Sequence, residues 1–343
     1  MTRIGVFYDF DQGDGGAYFE SGLRLGLEQV GVPRAGADGC ELVVRHADGL
    51  PGGSAEAVAD AFAELVDAGV VTIVGPSITD NGLIVRDLCD DAGVACINYT
   101  GGAITRSRWM FHYQVGSLEE EPHVLVDHLH DRGLARAAVL HDDTPVGTNY
   151  QLWFERAAAR SPVQIVHAAA VSPLAEDLTT EVAGAITARP DVLVYLGLGV
   201  AARAVALAVA AVGWTGPVVA NSALMFGYAR REWRAGWDGW VYLDTISDEN
   251  AARAALRVLS PAHAGGPIGV AAYDIGRLLG TAIALADDLT RDALREGLER
   301  VKRLPAASGR PGTVMGFGQW DHAALKGDAL VLRAWRGGRT IEV

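Results

Sequence analysis

Short β-branched runs, each followed by a Gly- or Asp-bearing turn and then a helical pattern of Ala, Leu and Glu, recur along this chain and constrain its fold more than any other feature. Such alternation builds a parallel sheet covered by helices, because neighbouring parallel strands need a crossover connection and a helix supplies it. In the first third the pattern predicts strands over 3–9, 41–45, 71–75, 95–99 and 111–115, and helices over 17–30, 55–68 and 81–92. It restarts at Ser117, with helices over 119–132, 150–160, 174–188 and 201–212 and strands over 137–141, 163–169, 192–196, 218–220 and 240–244. Helices over 249–259, 269–289 and 291–303 follow, and a Gly-rich strand pair around 313–317 and 329–335 closes the chain.

A length of 343 residues, half of them apolar, exceeds what one hydrophobic core usually serves. The expected fold is α/β, with two doubly wound, Rossmann-like parallel-sheet domains joined by three crossover segments near Gly116, Ser247 and Phe317. Residues 1–116 plus 248–316 form the N-terminal lobe in this reading, and 117–247 plus 317–343 the C-terminal lobe, with a ligand cleft between them. Open sheets of this type bind ligands at the loops beyond the C-terminal ends of their strands.

Charge narrows the partners. With 42 acidic against 29 basic residues the net charge is −13, which repels phosphate backbones and anionic lipid, so nucleic acid is not expected as a partner. Three cysteines, Cys40, Cys89 and Cys96, imply no disulfide framework and lack Cys-x-x-Cys spacing. The start at Met1 runs straight into the alternation of Ile4–Phe7 without a charged leader and apolar h-region, so the chain as written is expected in the cytoplasm, or outside it if a leader was removed. The most apolar stretch, 192–212, has the length of a membrane span but contains Gly197, Gly199 and Arg203, and reads as strand, turn and helix, so no membrane insertion is expected.

Motifs for catalysis or metal binding are weak. The run from Asp9 to Glu20 begins like a calcium loop, then places Gly13 and Asp14 where a ligand and the turn glycine belong; Asp11 or Asp14 suits the positive end of the following helix better. Gly197-Leu198-Gly199-Val200-Ala201-Ala202 has the spacing of a dinucleotide loop, but no acid lies about twenty residues on, and close strand-to-helix packing, or a tight turn at the cleft, explains it better. His123, Asp127 and His130 share a helix face, which more often is simply a surface. No G-x-S-x-G, H-E-x-x-H or phosphate-loop lysine occurs, and the reading is a binder with no cofactor and no metal, not an enzyme.

The informative residues lie at the strand ends. Gly75-Pro76-Ser77-Ile78-Thr79-Asp80-Asn81 leads into a helix and offers hydroxyls and free N–H groups to a carboxylate or amide oxygen. Asn98-Tyr99-Thr100-Gly101-Gly102 and Asn221-Ser222-Ala223-Leu224-Met225-Phe226 occupy matching places in the two halves. Thr79, Asn98, Tyr99, Thr100, Asn221 and Ser222 are the expected polar ligand contacts, joined by Ser77, Asn81, Gly101 and Gly199, while Phe10, Tyr18, Tyr150 and Phe226 supply apolar or stacking area.

At these loops the chain resembles the branched-chain amino acid (Leu/Ile/Val) type of ABC-transporter solute-binding protein, of the periplasmic-binding-protein type I fold. Ile4-Gly5-Val6, Val74-Gly75-Pro76-Ser77, the run 88–94, His141-Asp142-Asp143 with Gly147, Tyr195-Leu196-Gly197 and Ala272-Tyr273-Asp274 carry the resemblance, which spans nearly the whole chain. It implies a hinged clamp that closes on a small organic ligand. It also implies an ABC permease as partner, or a regulatory protein if the clamp works as a cytoplasmic sensor. By position, Thr79 stands where the family places the Ser that holds the ligand carboxylate, with Gly101 as a backbone partner. Several positions depart from the family: Gly102 replaces a Thr, Val146 a Tyr, Gly199 or Val200 a second Tyr, and Ser222 the ammonium-binding Glu. A buried ammonium without a charge partner is costly. The departures therefore predict a neutral or monoanionic ligand, an amino acid derivative, amide or aromatic acid, in place of an ordinary α-amino acid.

Overall fold

The computed structural model describes residues 2–9, 15–32 and 39–343. In chain order it contains β1 (Thr2–Tyr8), α1 (Gly15–Gln29), β2 (Cys40–His46), α2 (Ala55–Asp67), β3 (Thr72–Val74), α3 (Thr79–Ala92), β4 (Ala95–Asn98) and β5 (Met110–His112). Next come α4 (Glu121–Asp131), β6 (Arg136–Asp142), α5 (Pro145–Ala158), β7 (Gln164–Val171), α6 (Thr179–Thr187), β8 (Val192–Leu196), α7 (Ala202–Ala211), β9 (Val218–Ala220) and β10 (Val241–Asp244). The tail supplies α8 (Ala251–Leu259), α9 (Pro267–Leu285) and α10 (Arg291–Arg300), then the strands β11 (Leu304–Pro305), β12 (Val314–Met315), β13 (Leu325–Lys326), β14 (Val331–Arg336) and β15 (Arg339–Glu342). Two compact units result, Met1–Val115 with Thr245–Ala329, and Gly116–Asp244 with Leu330–Val343.

The first unit holds an all-parallel sheet of order β2-β1-β3-β4-β5. β1 is apolar on both faces, with Ile4, Val6, Phe7 and Tyr8 all buried, as a strand covered by helices on each side must be. One cover is the pair α1 and α9, which cross at backbone contact: a Cβ on Gly26 would lie 2.1 Å from the Tyr273 carbonyl oxygen, and one on Gly276 2.2 Å from that of Leu23. Among the described residues α9 alone is long and apolar enough to cross a membrane, yet its Ala271, Ala272, Ile275, Leu278, Leu279 and Ala282 belong to the first unit's core.

The second unit's sheet has the order β15-β14-β10-β9-β8-β6-β7. Its parallel part, read from β7 to β10, repeats the order of the first sheet strand for strand. The antiparallel hairpin of β14 and β15 extends it, turning at Gly337 and Gly338, whose φ values of 54° and 73° suit a tight hairpin turn. The apolar stretch 192–212 resolves into β8, a glycine turn and α7.

The tail differs from the expected division. Residues 317–329 lie in the first unit: the Phe317 ring meets Phe111 edge-on at 4.9 Å, His322 stacks on Phe111 at 4.0 Å, and Ala324 N donates to the His112 carbonyl at 2.8 Å. The chain passes to the second unit at Leu330. This segment extends the β5 edge of the first sheet by isolated backbone pairing, which leaves no side-chain period for a sequence reading to detect.

Candidate functional site

In the first unit a buried carboxylate organises the strand ends. Asp9, directly after β1, accepts hydrogen bonds from Ser77 N (2.8 Å), Ser77 Oγ (2.7 Å), Ile78 N (2.9 Å) and Asn81 Nδ2 (2.9 Å). Gly75 makes this turn possible, with φ of +121° and a Cα against which a Cβ would lie 2.2 Å from the Phe7 carbonyl oxygen. Burial pushes the Asp9 carboxyl upward, and the donors from Ser77, Asn81 and Ile78 pull against that shift. Asn81 also accepts from Leu50 N at 2.9 Å. Ser77 and Asn81, expected at the ligand, are thus committed to holding their own loop.

The loop after β4 is tied in the same way. Asn98 Nδ2 donates to the Phe111 carbonyl (2.9 Å), and its Oδ1 accepts from Thr100 Oγ1 (2.9 Å). Tyr99 is buried and stacks on Phe19 at 4.7 Å, while Gly101 remains partly exposed. Gly102 lies against Thr79, where a Cβ would come within 2.4 Å of Thr79 Cγ2. Two adjacent side chains at the start of α3 stay unmatched among the described residues. The Thr79 hydroxyl makes no hydrogen bond, and Asp80 Oδ1 is sealed from solvent without a partner. Burial alone pushes the Asp80 carboxyl up to about 6.

In the second unit Asp142 ends β6 as Asp9 follows β1. It accepts from Leu198 N and from the Tyr195 hydroxyl, both at 2.8 Å. Asn221 directly follows β9 much as Asn98 ends β4, donating to the Gly197 carbonyl (2.8 Å) and accepting from Gly197 N (3.2 Å). These bonds account for the glycines of the G-x-G run: a Cβ on Gly197 would lie 2.4 Å from the Asp142 carboxyl carbon, and one on Gly199, at φ +99°, 2.4 Å from the Ala223 carbonyl oxygen. A phosphate here would face the Asp142 carboxylate.

Sequence reasoning missed Glu121. Its buried carboxylate, in the first turn of α4, accepts from Ser117 N (2.6 Å), Ser222 N (2.6 Å), Ser222 Oγ (3.0 Å) and the Tyr150 hydroxyl (3.1 Å). A carboxylate therefore does lie beside Ser222, supplied from another part of the chain. The three consecutive glutamates before Pro122 signal a helix start, but nothing in them tells which one turns inward.

Burial pushes Glu121 from its ordinary 4.5 up to about 7, against donors from Ser222, Ser117 and Tyr150. Because the folded value lies above the unfolded one, the group's stabilising contribution is fully present at acidic pH, below 4.5, and is lost as pH rises through about 7. Relative to Glu121→Gln, which does not titrate, the wild-type protein is expected to lose melting temperature between about pH 5.5 and about pH 8. A wild-type advantage that grows with pH would contradict this sign.

Other expected contacts take different places. Tyr18 stacks on His263 at 4.7 Å and donates to the Ala262 carbonyl at 2.9 Å, fastening α1 to the segment before α9 instead of facing the strand ends. Phe226 lies parallel to Trp233 at 6.2 Å and packs below Gly199. Phe10, Asp11 and Asp14 lie outside the described residues. Among the described residues no group of three His, Cys, Asp or Glu side chains is placed to hold a metal, and His123 instead meets the edge of Trp153 at 6.4 Å.

Comparison with known proteins adds to this geometry. The model of a family described as periplasmic binding protein matches residues 2–326. Among solved structures, a leucine-binding protein from Thermotoga maritima superposes with a TM-score of 0.84 at 14% identity, covering 100% of this chain and 98% of that one. A periplasmic binding protein type 1 from Bordetella pertussis gives 0.84 at 16%, with 100% of both chains covered. An ABC transporter substrate-binding protein from Desulfitobacterium hafniense, in complex with Leu, gives 0.76 at 20%, covering 100% and 99%. At these identities the likeness is one of fold. No curated protein matches the chain.

Proposed function

Because the chain belongs to the periplasmic binding protein family, we propose that it captures a small organic solute, an amino acid derivative, amide or aromatic acid, closes on it by a hinge motion, and delivers it to an ABC-type permease. The observation that carries this reading is the pair at the start of α3. Around it Ser77, Asn81, Asn98 and Thr100 are all bonded within the protein, while among the described residues the Thr79 hydroxyl makes no hydrogen bond and the buried Asp80 Oδ1 has no partner. Buried polar groups without partners are rare, and where they persist a ligand is a natural reason. The leucine held by the Desulfitobacterium protein supports a ligand of this size.

In this reading Thr79 and the backbone of Gly101 contact the solute directly, and Asp9, Asn98, Asp142 and Asn221 act by holding the loops in place. Isothermal calorimetry with amides, aromatic acids, leucine and valine tests it. Binding of at least one amide or aromatic acid is expected, weakened about tenfold or more by Thr79→Ala, which corresponds to loss of about one hydrogen bond. Tight binding of leucine or valine alone would overturn the ligand class. Unchanged affinity in Thr79→Ala would overturn the site.

A further inference from the structure

Asp80 is 7% exposed, its Oδ1 is buried with no hydrogen-bond partner, and no ion pair reaches it among the described residues. It follows Thr79 in the first turn of α3, the place where the family resemblance puts the carboxylate of a ligand. Other buried acids of this protein are satisfied: Asp9 and Glu121 each accept four bonds, and Asp142 and Asp274 accept bonds of their own. A carboxyl group kept buried and unmatched destabilises the protein that carries it, by the desolvation it is not repaid for. An ionised carboxylate also accepts hydrogen bonds and donates none. A ligand carboxylate at Thr79 would meet a like charge from Asp80, an arrangement two carboxylates do not share without a proton between them.

We infer that Asp80 is a ligand-contacting acid, and that the first unit takes a nitrogen donor of the solute, an amide or ammonium N–H, where the resemblance implies a carboxylate. This rests on the solute-binding reading above and selects within it. The Thr79 hydroxyl, free to accept as well as donate, is compatible with the same N–H-bearing group. The donors that a carboxylate would need, such as Ser77 Oγ and Asn81 Nδ2, are already turned toward Asp9. The N–H groups at a helix start would favour an anion by themselves, and it is the unmatched acid among them that reverses the preference.

Two measurements on Asp80→Asn and Asp80→Ala decide the matter. The first needs no ligand: removing an unmatched buried charge is expected to raise the melting temperature of the ligand-free protein by a few degrees, about 3 °C or more at neutral pH. The second uses matched probes, benzamide against benzoate and isovaleramide against isovalerate, in calorimetry near pH 7.5. The wild-type protein is expected to prefer the amide of a bound pair by about tenfold or more, and Asp80→Ala to lose that preference. In Asp80→Asn, whose side chain carries both a donor and an acceptor, the preference falls toward the carboxylate.

A lowered melting temperature in both variants assigns Asp80 to the structure and overturns the inference. Wild-type preference for the carboxylates overturns it too, but leaves the solute-binding reading standing. Failure of either class to bind, together with failure of leucine and valine, overturns both readings at once.

Discussion

Gly26→Ala is expected to lower the melting temperature of the first unit by about 10 °C. The added Cβ would lie 2.1 Å from the Tyr273 carbonyl oxygen and 2.9 Å from Arg277 N, both backbone atoms of α9 that cannot rotate aside. α1 and α9 must then separate, and Gly276, facing the Leu23 carbonyl, shows that the approach is equally close from the other side. Overpacking of a core costs about 1–3 kcal/mol, and more where the neighbour is main chain. The helix propensity gained from Gly to Ala, about 1 kcal/mol, offsets only part of a clash this deep. At about 2–4 °C per kcal/mol for a unit of this size, a net loss of about 3–4 kcal/mol gives the expected shift. Gly52, with nothing within 4 Å of its would-be Cβ, is the control, and Gly52→Ala should melt as wild type does. Differential scanning calorimetry of the two variants checks the argument, and a Gly26→Ala protein that melts with the control would show that the two helices are not held at backbone contact.

Asp9→Ala is expected to be the most damaging change at the strand ends. It strands the backbone donors Ser77 N and Ile78 N, two of the four donors that now share one carboxylate, while Asn81 Nδ2 keeps the Asp9 and Leu50 carbonyls. Each buried donor left unsatisfied costs about 1–3 kcal/mol, so a loss of about 3–5 kcal/mol in denaturant unfolding is expected. Since Thr79 and Asp80 follow directly on this loop, solute affinity should fall by about a hundredfold or more even where the variant remains folded. Thr79→Ala, which removes a contact but no anchor, should affect binding alone. Equal stability in Asp9→Ala and wild type would mean that the loop holds its shape without the carboxylate.

Much of the fold was legible because hydrophobic period reports burial. Runs such as Ile4–Tyr8 and Val192–Leu196, apolar at every position, betray strands covered on both faces, and repetition of the unit announced two sheets of one topology. Where structure rests on backbone pairing, the pattern fell silent. Segment 317–329 could not be assigned to its sheet, β15 was missed beyond Gly337-Gly338, and the two 3-10 stretches at Ser222–Tyr228 and Arg231–Trp237 carry no period of their own.

The candidate site was legible in place and less so in role. A polar side chain at a strand end has two uses, satisfying its own loop or meeting a ligand, and composition does not separate them. Ser77, Asn81, Asn98, Thr100 and Asn221 all serve the first use. Glu121 was hidden among three glutamates whose inward member is chosen by the distant Ser222 and Tyr150. Asp80 stands inside the loop read as favourable to carboxylates, and only the folded structure reveals that its Oδ1 lacks a partner among the described residues.

The Asp–Asn pairs that recur at the strand ends of both units also bear on the thermodynamics of capture. Loops welded to their sheets by buried acids are already ordered when a solute arrives, so their conformational entropy was surrendered during folding. What remains to be lost on association is chiefly the freedom of the small molecule itself. Few solute contacts then suffice for capture, and affinity should respond more steeply to loosening of Asp9 or Asp142 than to removal of any one group that touches the solute.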